Sequence, residues 1–358
     1  HARMKIMHYL QLTGDPSTVE FKLHDFGFRG VSSYESAELG GMAHLVCHSG
    51  SDTLAAILKA KKCYSSSMAG FSIPAAEHST IVSWGKMCEG EAYQNLVDKF
   101  AQSGRMFSVV SDSYDIIGAT KKYWCGELRD KVISSGATLV IRPDSGNPVD
   151  IICGLNSNPD IIQGELEGDI MVSQPGPPEY KGVIELLWDI FGGTTNEQGY
   201  KVLDPHIGAI YGDSITLDRQ VEIYTRLEAK GFAATNIVLG VGSFTYQYNT
   251  RDTFGFAAKG AWFEVEQPVY GEFADQGLNT EKVGYDIYKD PVTDDGTKRS
   301  LKGKVAVFES EFMPGEYYVN TQCTDEEEND GLLQVIYEDG GFYNQTTLTE
   351  IRERLNKL

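Results

Sequence analysis

The sequence predicts an α/β fold, in which βα units surround a parallel sheet or barrel and a smaller, mostly antiparallel β region follows. Two observations predict it. Between Gly27 and about Arg251, short apolar runs alternate with stretches of helical periodicity, which is typical of βα units. After about Phe256, aromatic and β-branched residues alternate with glycine and charged residues, which is typical of antiparallel strands.

Five apolar runs are predicted as strands, and two periodic segments as helices. The runs are Ala43–Cys47, Phe107–Val110, Thr138–Ile141, Ile207–Tyr211 and Ile237–Leu239. The segment Glu91–Gln102 carries its apolar residues on one face, as a helix against a core does. A second helix begins after Thr216, a residue type that caps helix N-termini, and ends at Gly231.

The stretch 156–198 interrupts this alternation. Proline, glycine and acidic residues surround one apolar helical piece, Val183–Phe191, and the stretch is predicted as an insertion loop on the surface. The predicted domains are an N-terminal extension at 1–20, a barrel at 21–255 that contains this insertion, and a β-rich region at 256–358 that returns to the barrel.

The C-terminal region contains two segments with the strand pattern, Lys304–Phe308 and Glu316–Val319. The acidic run Asp325–Asp330 follows them and is predicted as a solvated turn.

Charge and composition exclude several classes of protein. The 358 residues include 31 Lys and Arg against 51 Asp and Glu, a net charge of −20, which disfavours nucleic acid or an anionic membrane as partner. No apolar run approaches the roughly 18 residues of a membrane span, and the first residues lack the apolar core of a signal peptide. The six cysteines are scattered without a CxxC pair, so we expect reduced thiols and a cytoplasmic protein.

Polar and glycine-rich segments follow four of the predicted strands, at 111–115, 142–148, 212–214 and 240–243. In a βα barrel these points lie on the C-terminal face, where active sites are built. A single aspartate after a strand is explained as well by a helix cap, but four such ends together predict a shared site.

The residue types of these segments favour a phosphosugar as ligand. Glycine-rich turns offer backbone N–H groups to phosphate, and Arg142 and Arg251 add bidentate contacts. Carboxylates beside a phosphate suit Mg²⁺ or sugar hydroxyls. The turn at 240–243 is explained equally well as a tight packing turn.

Two earlier segments carry other chemistry. The segment 22–30 places aromatic residues beside Arg29, which suits a flat ring near an anion, although its phenylalanines could simply join the core. His78 stands in a polar turn before a predicted helix start. It is either a structural histidine or one with an acid/base or phosphate-accepting role.

These residues resemble the nicotinamide phosphoribosyltransferases of the type II nicotinate/nicotinamide phosphoribosyltransferase superfamily. The matching strings are KLHDFGFRGVSS, GSDT, PAAEHSTI, VVSDSYDI, IRPDSGNP, GDS, TRD and YKDPVTDDGTKRS. They run in order from Lys22 to Ser300 and so cover most of the chain.

The resemblance implies an irregular TIM-like βα barrel of the type II phosphoribosyltransferase kind with a smaller β region. It implies condensation of nicotinamide with 5-phosphoribosyl-1-pyrophosphate to nicotinamide mononucleotide and pyrophosphate, using Mg²⁺. ATP hydrolysis is implied as a stimulating reaction, through transient phosphorylation of a histidine that His78 matches. A homodimer is implied as well, because the family builds its sites at the dimer interface.

The resemblance also assigns roles to single residues. His78, Asp112 and Asp144 are implied as catalytic, and the two aspartates also as Mg²⁺ ligands. The implied residues around the pyridine ring are Phe26, Arg29, Asp52 and Ser72, with Asp52 selecting the carboxamide. The implied residues that meet ribose, phosphate or pyrophosphate are Gly212, Asp213, Gly242, Ser243, Arg251, Lys259 and Lys289. Arg29 is implied to meet phosphate as well, and Arg142 is implied as a substrate-contacting arginine.

The resemblance has one large gap and leaves other functions open. Family members carry well over a hundred residues before the segment that matches Lys22, and almost nothing here matches them. One alternative is therefore a truncated or split homologue that binds substrate or a partner but needs another chain for turnover. A nicotinate transferase is a second alternative, which Asp52 disfavours. An aldolase-type barrel would need a Schiff-base lysine at a strand end, and the strand ends identified here have none.

Overall fold

A computed structural model describes residues 1–155, 166–167, 170–171, 180–212, 214–249, 253, 258–268, 280–293 and 301–355. The chain divides into two compact units. The first comprises His1–Lys259 and Lys289–Ser300, and the second comprises Gly260–Tyr288 and Leu301–Leu358.

The first unit alternates strands and helices, as expected. Its strands are β1 (Leu23–Asp25), β2 (Gly50–Ser51), β3 (Met106–Val110), β4 (Thr138–Arg142), β5 (Leu166–Glu167), β6 (Ile170–Met171), β7 (Gly193–Thr195), β8 (Lys201–Leu203), β9 (Ile207–Tyr211) and β10 (Ile237–Val241). Its helices are α1 (Ala2–Thr13), α2 (Tyr34–Cys47), α3 (Leu54–Tyr64), α4 (Ser79–Val82), α5 (Glu89–Phe100), α6 (Ile116–Lys122), α7 (Glu127–Ser135), α8 (Pro148–Cys153), α9 (Gly182–Phe191) and α10 (Leu217–Ala229).

Six of these strands form one parallel sheet in the order β2-β1-β10-β9-β4-β3. The connecting segment 71–76 links the two edges of this sheet. Phe71 exchanges backbone hydrogen bonds with Ser49 and Ser51 beside β2, and Ala76 donates to the carbonyl of Ser108 in β3. The sheet is thereby curled toward closure, and the predicted irregular barrel is confirmed.

Four of the five predicted strands are confirmed as β3, β4, β9 and β10. The prediction of a strand at Ala43–Cys47 is wrong, because these residues form the last turns of α2. Two glycines, Gly40 and Gly41, precede the apolar run and obscure the helical pattern. They are required by packing, since an added Cβ on Gly41 would come within 2.5 Å of Ala56 in α3.

Both predicted helices are confirmed, as α5 and α10. Thr216 caps α10 by accepting a hydrogen bond from the backbone N–H of Arg219 at 3.2 Å. Gly231 follows the helix with φ of +75°, a backbone conformation that favours glycine.

The core of the first unit includes residues of α1, in the predicted N-terminal extension, and of α9, in the predicted insertion. Ile6 and Leu10 of α1, in the predicted extension at 1–20, are fully buried. Helix α9 buries Val183, Ile184 and Leu187, so the prediction of a surface loop is wrong for this part of the insertion. Its apolar residues are numerous enough to face both the sheet and α8, whereas most of 156–179 lies outside the described residues.

The second unit is antiparallel, as predicted. Its strands are β11 (Trp262–Pro268), β12 (Thr280–Asp286), β13 (Val305–Glu309), β14 (Tyr317–Thr321), β15 (Tyr337–Glu338) and β16 (Gly341–Phe342), and they form three two-stranded sheets. Its helices are α11 (Asp325–Asp330) and α12 (Leu348–Leu355). The prediction of a turn at Asp325–Asp330 is wrong, because Thr324 and Glu327 form a capping box that begins a short helix.

The structure bears on two further expectations, one about the cysteines and one about membrane-spanning helices. All six cysteines lie in the described part of the chain and are free thiols. Among the described residues, no helix is long and apolar enough to cross a membrane.

Candidate active site

The carboxyl ends of the six parallel strands lie at one end of the curled sheet, and most of the predicted site residues follow them directly. In sheet order, the residues after the strands are Asp52 (β2), Phe26 (β1), Gly242 (β10), Gly212 (β9), Asp144 (β4, two residues on) and Asp112 (β3, two residues on). The parallel sheet therefore brings together residues that are up to 216 positions apart in the sequence.

An inner cavity of about 280 Å³ lies inside the curled sheet. Four of the predicted substrate-binding residues line it together: Phe26, Asp52, Ser72 and Arg142. The rest of its wall comes from Phe21, which ends the short helical turn before β1, from the 71–76 segment and from inward-facing residues of the strands. The residues of the segment and the strands are His24, Gly50, Phe71, Ile73, Ala75, Met106, Ser108, Val140, Ile210 and Val238. The cavity is near the lower end of the size range of small-molecule sites, about 300–1,000 Å³, and has a few polar groups in an apolar wall.

Asp52 is the acidic group of the inner cavity. Its Oδ1 lies 3.1 Å from Nε2 of His24 and also accepts a hydrogen bond from the hydroxyl of Ser72. Burial alone would raise the pKa of Asp52, but these two hydrogen bonds and the charge of Arg142 outweigh it and hold the pKa below its ordinary value. Asp52 therefore presents a negative charge at neutral pH.

Arg142 brings a positive charge to the same cavity. It is the last residue of β4, and its buried Nε has no hydrogen-bond partner among the described residues. A buried donor without a partner is rare in native proteins, since leaving it unpaired costs about 1–3 kcal/mol. The guanidinium is therefore available for a ligand with acceptor atoms.

His78, Asp112 and Asp144 form a second cluster, and both oxygens of Asp112 take part. Nε2 of His78 lies 3.0 Å from Oδ1 of Asp112, and the backbone N–H of Asp144 donates to Oδ2 at 2.9 Å. Asp112 is fully buried, and burial opposes its ionisation. The bond with His78 and the charge of Lys289 nevertheless hold the pKa of Asp112 far below its ordinary value.

Local structure places each member of this cluster. Residues 74–76 run beside β3 through the backbone bonds of Ser108. His78 follows as the N-cap of α4, which begins at Ser79. The carboxylate of Glu77 accepts the backbone N–H of Ser79 and so caps this first turn. His78 is thereby held opposite the end of β3, where Asp112 lies.

A chain of buried polar and aromatic contacts lies next to Asp112. The hydroxyl of Tyr93 donates to Oε1 of Glu89 at 2.8 Å, and the ring of Tyr93 packs against Trp124 at a centroid distance of 4.7 Å. Nε1 of Trp124 donates to Oγ of Ser111 at 3.0 Å. These contacts fix Ser111, the residue before Asp112, and end at the buried carboxyl group of Glu89.

An outer cavity of about 840 Å³ lies beyond the ends of β1, β9 and β10. The predicted phosphosugar residues Gly212, Gly242 and Ser243 line it, as do Arg29 and Phe26, so Phe26 borders both cavities. Gly212 is a glycine for a steric reason, because an added Cβ would lie 3.0 Å from a carboxylate oxygen of Asp144.

The loop after β10 is fastened by one aromatic ring. Tyr246 lies between Gly27 and Gly40, and a Cβ on either glycine would come within 2.7 Å of its ring. Ser243, three residues earlier, is buried and donates its hydroxyl to the carbonyl of Asn249. The tyrosine therefore fixes the glycine-rich turn against the segment that carries Phe26 and Arg29.

The remaining predicted residues differ in how they are placed. Lys289 lies near Asp112, because residues 290–293 bond to Ser113, Tyr114 and Ser145 after strands β3 and β4. Lys259 is exposed, and within the described part of the chain it makes no hydrogen bond or ion pair with the other site residues. Asp213 and Arg251 lie outside the described residues.

His24 is a site residue to which the sequence analysis assigns no role. It lines the inner cavity beside Asp52, and its ring centroid is 4.5 Å from that of Phe26. The signal that could have found it is the two-residue period of a strand, which places positions 24 and 26 on the same face.

The donor groups only partly fit the Mg²⁺ that the resemblance implies. Within the described ranges no three His, Cys, Asp or Glu side chains are placed to share a metal ion, and both oxygens of Asp112 are already engaged. Mg²⁺ needs only one or two carboxylates when substrate phosphates and water complete its coordination. Asp144 fits that requirement better than Asp112.

Comparison with known proteins identifies the family. Residues 21–341 match the model of the nicotinate phosphoribosyltransferase (NAPRTase) family, which is most of the chain. The chain belongs to the nicotinate phosphoribosyltransferase family. The inner cavity and the cluster at Asp112 are formed within the matched part of this family member, whereas the outer cavity is also lined by His1, Ala2 and Arg3, which precede it.

Three curated relatives of this family member carry the name nicotinamide phosphoribosyltransferase. The chain is 39% identical to the protein of Acinetobacter baylyi, 38% to that of Xanthomonas campestris pv. campestris and 35% to that of Mycoplasma pneumoniae. The alignments cover 93%, 97% and 84% of this chain, but 60%, 65% and 57% of the relatives. The chain thus spans about three fifths of the length of these relatives.

A solved structure resembles this family member more distantly. The nicotinate-nucleotide pyrophosphorylase from Pyrococcus furiosus aligns over 99% of this chain and 68% of its own, with 13% identity and a TM-score of 0.36. A similarity at this level supports no conclusion about fold or function.

Proposed function

We propose that this family member transfers the phosphoribosyl group of 5-phosphoribosyl-1-pyrophosphate to nicotinamide, giving nicotinamide mononucleotide and pyrophosphate. The observation that carries the proposal is the inner cavity, where an aromatic ring, an ionised carboxylate and an arginine with an unpaired donor line one small space. The names of the three relatives agree with this choice of substrate.

The inner cavity suits a pyridine ring that carries a carboxamide. The Phe26 ring offers a flat apolar surface for stacking, and Asp52 offers a carboxylate that accepts an amide N–H. Nicotinate would place a second carboxylate beside Asp52, and this repulsion disfavours the alternative that the enzyme acts on nicotinate.

The outer cavity suits the phosphosugar. Backbone groups at Gly242 and Ser243 and the side chain of Arg29 line it and suit a phosphate, while Gly212 leaves room for ribose beside Asp144. Roles for Asp213, Arg251 and Lys259 on this ligand remain predictions from the sequence. Because Phe26 borders both cavities, the pyridine nitrogen and the ribose carbon that it attacks would meet there.

The chemistry follows from the charges of the site. The lone pair of the pyridine nitrogen forms the new bond to the ribose carbon, while the electron pair of the breaking C–O bond leaves with pyrophosphate. Positive charge develops on the ribose and negative charge on pyrophosphate, so Asp144 suits the former, and Arg142 and Lys289 suit the latter. Mg²⁺, if held by Asp144 and the substrate phosphates, would supply further neutralisation of the leaving group.

His78 is proposed as the acceptor of a phosphoryl group from ATP. Because an ionised Asp112 can only accept a hydrogen bond, Nε2 of His78 carries a proton, and Nδ1 of the neutral ring keeps the lone pair. Nδ1 is then the nitrogen that takes the phosphoryl group while ADP leaves. The added negative charge next to Asp144 would favour Mg²⁺ and tighten binding of the phosphosugar.

The first test measures product formation by the purified chain with nicotinamide or nicotinate, phosphoribosyl pyrophosphate and Mg²⁺. We expect turnover with nicotinamide only. The variant Asp52→Asn should lower kcat/KM for nicotinamide about 10- to 100-fold, since it removes a charge-assisted hydrogen bond. It should also lower the ratio of kcat/KM for nicotinamide to kcat/KM for nicotinate. Asp130→Asn, an exposed carboxylate on α7, is the matched control. Equal turnover of nicotinate and nicotinamide by the wild type would contradict the proposal.

The second test concerns His78. His78→Ala should abolish the stimulation by ATP while turnover without ATP persists, and acid-labile phosphate from labelled ATP should appear on the wild type alone. Full ATP stimulation of His78→Ala would rule out the phosphohistidine.

A second candidate function is a chain that binds substrate but needs another chain for turnover. One observation favours it: the second unit exposes large apolar side chains. Phe312 is 91% exposed, Phe342 71% and Tyr317 62%. Saturable nicotinamide binding without turnover would support it, whereas a self-sufficient homodimer in analytical ultracentrifugation with turnover would exclude it. A cytoplasmic location remains a prediction.

A further inference from the structure

His24 lies between the two groups of the inner cavity that the proposed function uses to recognise nicotinamide. Its Nε2 is 3.1 Å from Oδ1 of Asp52, and its ring is tilted by 34° against that of Phe26. Gly50 lies on a third side, where an added Cβ would come within 2.8 Å of Nδ1. The imidazole is therefore held by a carboxylate, an aromatic ring and the backbone.

Asp52 uses one oxygen for these protein contacts. His24 and Ser72 both bond to Oδ1, and within the described residues no bond to Oδ2 is recorded. Because an ionised carboxylate only accepts hydrogen bonds, Nε2 of His24 must donate. A donor fixed on Oδ1 sets the rotation of the carboxylate, and Oδ2 then has one defined direction from which to accept a hydrogen bond from a ligand.

We propose that His24 is a positioning residue that sets the preference for a carboxamide over a carboxylate, by orienting Asp52 and by packing against the ring of Phe26. The inference rests on the proposed function and adds a positioning residue to it. Only 13% of the His24 side chain is exposed, whereas 41% of that of Asp52 is, so the imidazole is fixed by its neighbours while the carboxylate stays accessible to a ligand.

Two variants separate the two contacts. His24→Phe keeps an aromatic ring against Phe26 and removes the donor to Asp52, whereas His24→Gln keeps an N–H near the position of Nε2 and removes the ring. We expect His24→Phe to weaken nicotinamide binding about 10-fold without weakening nicotinate binding. His24→Gln should weaken the binding of both ligands but keep the ratio of their affinities. The retained N–H donor would then have rescued the selectivity.

The measurement is calorimetric titration of the full chain and its variants with nicotinamide and with nicotinate, alongside thermal unfolding of each variant. A His24→Phe variant with the selectivity of the wild type would overturn the inference. Equal loss for both ligands in both variants, together with a lower melting temperature, would overturn it too, because that is the signature of a structural role alone. If the wild type binds neither ligand, the proposed function fails before any substitution is made, and the inference fails with it.

Discussion

Glu89 is a single carboxyl group whose protonation couples to folding. It is 5% exposed, and burial raises its pKa to about 7. The folded chain holds the proton more tightly than the unfolded chain, so its contribution to stability is complete below about pH 4.5 and is lost as pH rises through about 7. The buried carboxyl group of Glu89 is therefore protonated at acidic pH and loses its proton at alkaline pH.

The variant Glu89→Gln tests whether the protonation of Glu89 is coupled to folding. Because the amide oxygen still accepts from Tyr93 and carries no charge, we expect the variant to exceed the wild type in free energy of unfolding by about 2 kcal/mol at pH 8. At pH 4, where Glu89 is mostly protonated in both the folded and the unfolded chain, the two should be nearly equal. Urea unfolding at both pH values measures this, with the exposed Glu91→Gln on the same helix as control. A pH-independent difference would refute the assignment.

At the scale of elements, the contact of Tyr246 with Gly27 and Gly40 joins the loop after β10 to α2. Gly40→Ala adds a methyl group where the ring lies, although alanine itself favours a helix by about 1 kcal/mol over glycine. We therefore expect the loop to shift and KM for phosphoribosyl pyrophosphate to rise about 10-fold, with kcat less affected. In the control Gly208→Ala, the new methyl group would meet only Val140, at 3.9 Å. Equal KM values in both variants would show that the contact does not position the loop.

The same elements show what could be predicted from the sequence. β3, β4, β9 and β10 are apolar runs buried by helices, so composition alone predicts them and the polar residues after their ends. α2 could not be predicted, because Gly40 and Gly41 serve tertiary contacts that a local pattern does not contain. The wall of the inner cavity could not be predicted either. It depends on segment 71–76 bridging both sheet edges, a backbone arrangement with no side-chain signature.

At the scale of the whole molecule, the two compact units should respond differently to ligand. Nicotinamide at 100 times its Kd should stabilise the first unit by about 2.7 kcal/mol and raise its melting temperature by roughly 5–10 °C. Differential scanning calorimetry resolves this, and Asp52→Asn should reduce the shift. A shift of equal size with nicotinate, or a shift confined to the second unit, would contradict the assignment of the ring site.

The carboxylate of Asp112 contacts both His78 and the backbone of Asp144, so it couples these two parts of the site. One oxygen is hydrogen-bonded to the imidazole of His78 and the other to the backbone N–H of Asp144. Because Asp112 is fully buried, water cannot replace either partner. If either partner moved away, a buried lone pair would lose its hydrogen bond at a cost of about 1–3 kcal/mol. We therefore expect a ligand bound on one side to change the affinity for a ligand on the other by about 5- to 150-fold. Linkage of that kind is reciprocal: if the proposed phosphorylation of His78 tightens binding of the phosphosugar, then binding of the phosphosugar must favour that phosphorylation by the same factor.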